Sequence, residues 1–249
     1  MKLLGIDTNA KTKKGQKKGY RTAITYLAPS NASGVMNTCP AASKGCRAAC
    51  LFTSGRGRMS PIMEARINKT KFLFNDQEGF LSQLAKELSS HIKSSARKDL
   101  TPTARLNGTS DIACEDYILP ETGLNVFDSF PDLQFYDYTK RGDRMANFLS
   151  GLLPENYHLT FSHSENTSED TVIDVLGKGG NVAVVYKDEL PPFDFGGWEV
   201  INGDEDDLRF LDETGVIVGL KYKQTKAKEE EWNGFVRDTE IKNAVLEIA

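Results

Sequence analysis

Seven short β-prone runs recur along this 249-residue chain, and most of them stop at a polar cluster. Residues 22–29, 100–106, 133–138, 157–161, 181–186, 198–201 and 215–220 are rich in branched and aromatic side chains, which suit a pleated, buried surface. Helical spacing appears between several of them. Met63, Ile67, Thr70 and Phe74 predict a helix over 61–75, opened by Ser60-Pro61; Leu81, Leu84, Ala85, Leu88 and Ile92 predict a second over 78–95. Shorter stripes follow at Met145, Phe148, Leu149 and Leu152, and at Val172, Ile173 and Leu176. Strand–helix alternation of this kind predicts an α/β fold with mainly parallel strands and helices outside. Right-handed crossovers would curl it into a partial or closed (β/α) barrel. The domain expectation is a basic N-terminal arm at 1–21, one barrel-like domain at 22–225 and a C-terminal tail at 226–249.

In such sheets ligands bind beyond the carboxyl ends of the strands. Here those ends carry Asn107, Asp111, Lys140, Ser162, His163, Ser164, Glu165 and Asp204. Taken singly, each also suits a turn or a helix cap. Taken together on one edge, they make a candidate site. Asp111, Asp137, Lys140 and His163 form the candidate catalytic set, as titratable groups in a cleft can.

The first predicted strand feeds a loop holding three of the four cysteines. Cys39, Cys46 and Cys50 are spaced C-x6-C-x3-C, and the last two would share one face of a helix. Three thiolates converging on a point suit a soft metal or an iron–sulfur cluster. The plainer reading is that they are small buried hydrophobes.

The stretch 11–21 is basic, with Lys11, Lys13, Lys14, Lys17, Lys18 and Arg21 among its eleven residues. It is either a solvated arm or a phosphate-contacting one, with Tyr20 offering a face for a base. The net charge of −4 argues against a uniformly basic coat. No apolar run approaches the length of a membrane span, and no signal-peptide pattern opens the chain. The expectation is therefore a cytoplasmic protein with reduced thiols and no membrane partner.

Several segments together resemble one family. They are residues 11–21, Leu27-Ala28-Pro29, the cysteine stretch from Cys39, the run 105–111, the run 135–140 and the run 203–212. In the same order, they look like the gene-product-88-like group of bacteriophage proteins. That resemblance implies a phage origin and little biochemistry.

The outline is also similar, more distantly, to radical S-adenosylmethionine enzymes. These are partial (β/α) barrels whose three cysteines after the first strand hold a [4Fe–4S] cluster with one open iron. The resemblance implies Cys39, Cys46 and Cys50 as cluster ligands. It implies Asn107, Gly108 and Ser110 near the amino group of S-adenosylmethionine, and Ser162, Ser164 and Glu165 near its ribose. The spacing here departs from that superfamily's usual C-x3-C-x2-C.

Three functions are expected on these grounds. The first is an iron–sulfur enzyme of the radical type acting on a nucleotide or nucleic acid, with Cys114 or Tyr138 returning a hydrogen. The second is a zinc-containing barrel enzyme handling nucleobases, with Cys114 or a histidine as the fourth ligand and Asp111 or Asp137 as nucleophile or base. The third is a non-catalytic phage protein that binds host protein or nucleic acid.

Overall fold

Strand register sorts the side chains onto two unlike faces. The computed structural model of the protein describes residues 1–8 and 10–238. The strands are β1 (Leu4–Ile6), β2 (Tyr20–Thr25), β3 (Thr101–Arg105), β4 (Gln134–Thr139), β5 (Tyr157–Ser162), β6 (Asn181–Tyr186), β7 (Phe193–Asp194), β8 (Trp198–Asn202), β9 (Ile217–Lys221) and β10 (Val236–Arg237). The helices are α1 (Ala10–Gly15), α2 (Lys44–Ala48), α3 (Ser60–Asn75), α4 (Gln77–Ala96), α5 (Gly142–Leu149), α6 (Glu169–Gly177) and α7 (Glu229–Trp232). The strands form one sheet in the order β1-β2-β3-β4-β5-β6-β9-β8-β7, with β10 also paired to β6. All pairings are parallel except β1 with β2 and β7 with β8.

Because strands β2 to β6 follow one another in space as in sequence, right-handed crossovers put their helices on one face. That face is apolar. Ala23, Ala104, Phe135 and Tyr157 are paired in a row across four strands, and Phe161, Val182 and Ile217 continue the apolar layer. All of them are buried in the main core with Leu81, Leu84 and Leu88 of α4.

The opposite face is polar. Thr22 and Thr103 share a hydrogen bond of 2.8 Å, and Thr22 meets the Tyr136 hydroxyl at 3.1 Å. Arg105 reaches out to Asp207 at 2.7 Å. The connection from β8 to β9 covers this face and carries the buried Asp206, Asp207 and Arg209. Phe210 of that connection packs against Tyr20 and Tyr136.

Several expectations are corrected. Among the described residues no hydrogen bonds close the sheet, so it is open and the closed-barrel alternative does not stand. Residues 1–21 are not a free arm. Leu4–Ile6 pairs with β2, and the cysteine loop therefore follows the second strand rather than the first. Residues 229–237 of the predicted tail form α7 and β10 on the body of the protein, because Trp232, Phe235 and Val236 bury apolar surface against Ala49. Residues 239–249 of that tail lie outside the described residues. Among the described residues no helix is long and apolar enough to cross a membrane.

Candidate site at the carboxyl edge of the sheet

The connection from β2 to α3 folds over the carboxyl ends of β3, β4 and β5, and its own polar groups hold it there. Thr38 donates to the Ala28 carbonyl at 2.6 Å and accepts nothing from solvent, being fully buried; the Asp111 amide donates to the Thr38 carbonyl at 2.7 Å. Cys39 Sγ lies 3.7 Å from the Thr109 carbonyl oxygen and 3.8 Å from Thr38 Oγ1. Ser43 caps α2 by accepting from the Cys46 amide, the ordinary role of a serine before a helix.

Glu165, three residues beyond β5, clasps the start of that helix. It accepts from Ser43 Oγ and from the Gly45 amide, both at 2.6 Å. Gly45 is glycine for lack of room: a Cβ there would sit 2.6 Å from Phe235 Cβ and 3.0 Å from both Glu165 oxygens. Burial pushes the Glu165 carboxyl up, but the bonds from Ser43 and Gly45 outweigh it and hold its pKa below the usual range.

Lys140 stands between this clasp and the thiols. Its Nζ donates to Ser162 Oγ at 2.5 Å, to the Ser162 carbonyl at 3.3 Å and to the His163 carbonyl at 3.2 Å, so all three donors are used. Phe235 covers it with its ring centroid 5.0 Å away. Burial lowers the Lys140 pKa, while Cys46, Asp111 and Glu165 support the charge. Burial pushes all three thiols up, Cys50 to about 11. Beyond burial, Lys140 favours and Glu165 opposes ionisation of Cys46, while Cys46 opposes it for Cys39, and Cys46 and Cys39 oppose it for Cys50. The thiols are thus close enough to sense one another. Among the described residues, however, no three His, Cys, Asp or Glu side chains converge tightly enough to hold a single metal ion.

Two further groups end without partners near this edge. Arg66 of α3 has Nε and Nη1 buried with no hydrogen bond among the described residues. His163 is buried, and its Nδ1 is likewise unsatisfied. Burial, then the charges of Arg237 and Lys140, lower the His163 pKa to about 4, so the ring is neutral at pH 7.

The structure brings together Cys39, Cys46, Cys50, Lys140, Ser162, His163 and Glu165. It draws the remaining candidates into the scaffold. Asp111 accepts from Thr139 Oγ1, the Lys140 amide and Arg144 Nη1, all at 2.8 Å, which occupies the carboxylate. Asp137 is fully buried and accepts from the amides of Leu106 and Asn107 and from the Tyr157 hydroxyl. Both carboxylates are thus held in place by neighbours within the scaffold. Asn107 bonds Ser110 Oγ, the Ile112 amide and the Ile112 carbonyl, so Asn107 and Ser110 are spent inside their own loop. Gly108 lies against β2, where a Cβ would meet the Thr25 carbonyl at 2.8 Å and Ile24 at 2.5 Å. Close strand packing accounts for that glycine without a cofactor. Ser164 is tied to Thr167. The set implied for S-adenosylmethionine is thus largely committed to internal bonds.

Cys114, the supposed fourth zinc ligand, is buried in the helix-side core and accepts from Asn107 Nδ2. Tyr138 is half-buried beneath the β8–β9 connection, near Arg209 and Asp207, and loss of solvent first pushes its pKa to about 12. Neither is part of the cysteine edge.

The basic arm is mostly neutralised. Lys11 pairs with Asp204 at 2.6 Å, Lys18 with Asp206 at 2.6 Å and Arg21 with Asp7 at 3.0 Å, and Lys14 donates to the Asp204 carbonyl at 3.0 Å. Lys13 and Lys17 remain exposed. Exposed cations lie instead on the cysteine loop and its continuation toward α3, at Lys44, Arg47, Arg56 and Arg58. Sequence reasoning passed over the signal for this: residues 8–63 contain ten Lys or Arg and no Asp or Glu. It also missed Arg66, Ser43 and Phe235, whose roles depend on contacts distant in sequence.

The family model described as Gene product 88 matches the chain over residues 2–238. No curated protein and no solved structure matches it.

Proposed function

The chain belongs to the gene product 88 family, and from the cysteines and cations at its sheet edge we propose that it is an iron–sulfur protein acting on a nucleic acid or nucleotide. One observation carries the reading. Cys39, Cys46 and Cys50 lie on one loop at the carboxyl edge beside Lys140, and among the described residues no three His, Cys, Asp or Glu side chains are already arranged around a single ion. A single zinc needs all its sulfurs about 2.3 Å from one centre. A cluster takes each thiolate on a different iron, so a wider triangle of thiols suits it. Three cysteines on one loop are the count a [4Fe–4S] cluster with one open iron takes, and Cys114, the fourth cysteine a zinc site would use, is buried in the helix-side core.

When bound, such a cluster supplies one-electron transfer and, with three protein thiolates, an iron left for an outside ligand. The chain's own groups have distinct tasks. Lys140, anchored at three acceptors, offsets the negative charge of the thiolates near Cys46. Glu165 fixes α2 and with it Cys46. Lys44, Arg47, Arg56 and Arg58 supply positive charge where a phosphate backbone would approach.

Anaerobic purification tests the reading. The expected product is a brown protein with roughly three to four irons per chain. A colourless, iron-free protein prepared anaerobically, or stoichiometric zinc after aerobic expression with metals supplied, overturns it.

A further inference from the structure

We infer that the groove between α4 and the β3–β4 connection is a second binding site, which takes a nucleoside triphosphate through a row of cations and an apolar floor. The inference does not rest on the iron–sulfur reading, because the groove lies apart from the cysteines. α4 hands its C-terminal end directly to β3, so Arg97 stands at the amino edge of the sheet, opposite the cysteine edge. The groove has a volume of about 600 Å³, within the usual range for small-molecule sites.

One wall is a face of α4 that the fold leaves unused. Leu81, Leu84 and Leu88 turn into the core, Glu87 accepts from the Leu3 and Leu4 amides, and His91 bonds the Arg21 and Thr103 carbonyls. Lys86, Ser89, Ser90, Lys93 and Arg97 recur at helical spacing on the remaining face and line the groove. The three cations are exposed and span about 16 Å of helix axis. No acid supports them along the helix: Ser82, Gln83, Ser89 and Ser90 flank Lys86 at three and four residues, and Ser89, Ser90, Ala96 and Arg97 flank Lys93. Arg97 Nε donates to the Lys93 carbonyl at 3.3 Å, and the helix dipole favours both cations near this terminus. Neither effect accounts for Lys86 at mid-helix.

The other wall is pinned by its own bonds. Thr122 Oγ1 and Ser129 Oγ are 2.7 Å apart, Ser129 donates to the Asn125 carbonyl at 2.8 Å, and Asn156 Nδ2 donates to the Phe130 carbonyl at 2.9 Å. Ala85, Leu119 and the half-buried Phe130 are left as an apolar floor. Among the described residues the lining holds one carboxylate, Glu121, which Ser82 bonds and Lys86 attracts. Three cations against one carboxylate suit a polyanion, in a chain whose net charge is −4. Inorganic phosphate would leave the floor unused, and an apolar ligand would leave the cations unused. A nucleoside triphosphate engages both, with its base on Phe130 and its phosphates along Lys86, Lys93 and Arg97.

The test is calorimetric binding of each of the four ribonucleoside triphosphates, of inorganic triphosphate and of the nucleosides, without divalent cations. The proteins are wild type, Lys86→Glu with Lys93→Glu, Phe130→Ala, and the variant with Lys44, Arg47, Arg56 and Arg58 reversed to Glu. At least one nucleotide is expected to bind wild type about tenfold more tightly than inorganic triphosphate, the order of one base stacked on one ring. Phe130→Ala should erase that margin. Lys86→Glu with Lys93→Glu should weaken nucleotide binding by about tenfold or more, while the cysteine-edge variant keeps it. Should Phe130→Ala fail to fold, the margin between nucleotide and inorganic triphosphate on wild type decides. Equal affinity of wild type for nucleotide and inorganic triphosphate overturns the nucleotide assignment. No nucleotide binding, or a loss confined to the cysteine-edge variant, overturns the groove as a site. Each of these outcomes leaves the iron–sulfur reading to be decided by iron content.

Discussion

The Glu165 carboxylate accepts the Gly45 amide at 2.6 Å across 120 residues of chain. That contact ties the end of β5 to the helix bearing Cys46, so the strand edge and the cysteine loop are positioned as one unit. Gly45→Ala is expected to destabilise the protein by about 1–3 kcal/mol, the usual range for forcing extra volume into a packed site. Urea unfolding of variant and wild type measures it, and an unchanged midpoint would show that the loop and Phe235 yield without cost. Because the folded pKa of Glu165 is depressed, its contribution is full above the unfolded carboxyl range and is lost as pH falls through the folded value. Glu165→Gln should therefore be less stable than wild type at pH 7, with the gap narrowing in acid.

Arg144 supports a second prediction. It is nearly fully buried and binds Asp111 at 2.8 Å, Glu115 at 2.6 Å and the Tyr157 hydroxyl at 2.7 Å. Removing it with Arg144→Met would leave two carboxylates without their cation. Breaking one side of a buried ion pair costs roughly 3–5 kcal/mol, and denaturant unfolding should show a loss of that order. A loss under 1 kcal/mol would mean that water reaches Asp111 and Glu115 readily.

The sheet was largely legible because its strands are buried on both faces and announce themselves by composition. Leu133 to Tyr138 and Asn181 to Tyr186 were found within a residue or so of their observed ends. β1 and β10 were not. Leu4–Ile6 and Val236–Arg237 are three and two residues long, too short for any periodicity, and exist through pairing with distant partners. At the site, spacing pointed to the cysteines and strand order pointed to Lys140, Ser162 and Glu165. What spacing cannot reveal is whether a polar side chain is already satisfied. Asp111 and Lys140 looked alike as strand-end polar groups; only the fold shows that Arg144 and Thr139 occupy the first while the second faces the thiols.

A third prediction concerns acid. Burial alone would raise the Asp204 pKa, but Lys11 and the Lys221 amide bind it and hold it at about 2. Burial lowers Lys11 despite the same pair, and the carboxylate, with the Lys11 and Lys221 donors on it, is the partner whose titration matters here. The folded pKa lies below the unfolded one, so the stabilisation is complete above about pH 4. It should disappear between about pH 4 and pH 2. Asp204→Asn is expected to flatten that acid limb in unfolding curves taken across pH 2–7. A variant curve parallel to wild type would show that α1 and the β8–β9 connection are held together by other contacts.

The basic groups give the fourth. If a polyanion approaches the cysteine edge, Lys44, Arg47, Arg56 and Arg58 release counterions on binding, while Lys11 and Lys18 are already held by Asp204 and Asp206. For single strands the logarithm of the binding constant falls with the logarithm of salt by roughly 0.7 per phosphate neutralised. Reversing all four edge charges to Glu should therefore lower affinity for a single-stranded oligonucleotide by orders of magnitude at low salt and flatten the salt slope by up to about three. Reversing Lys13 and Lys17 instead should leave both nearly unchanged. Fluorescence anisotropy over a salt series reads the two quantities together. Equal losses from both sets would return the contact to the N-terminal segment, and loss from Lys13 and Lys17 alone would separate nucleic-acid binding from the cysteines altogether.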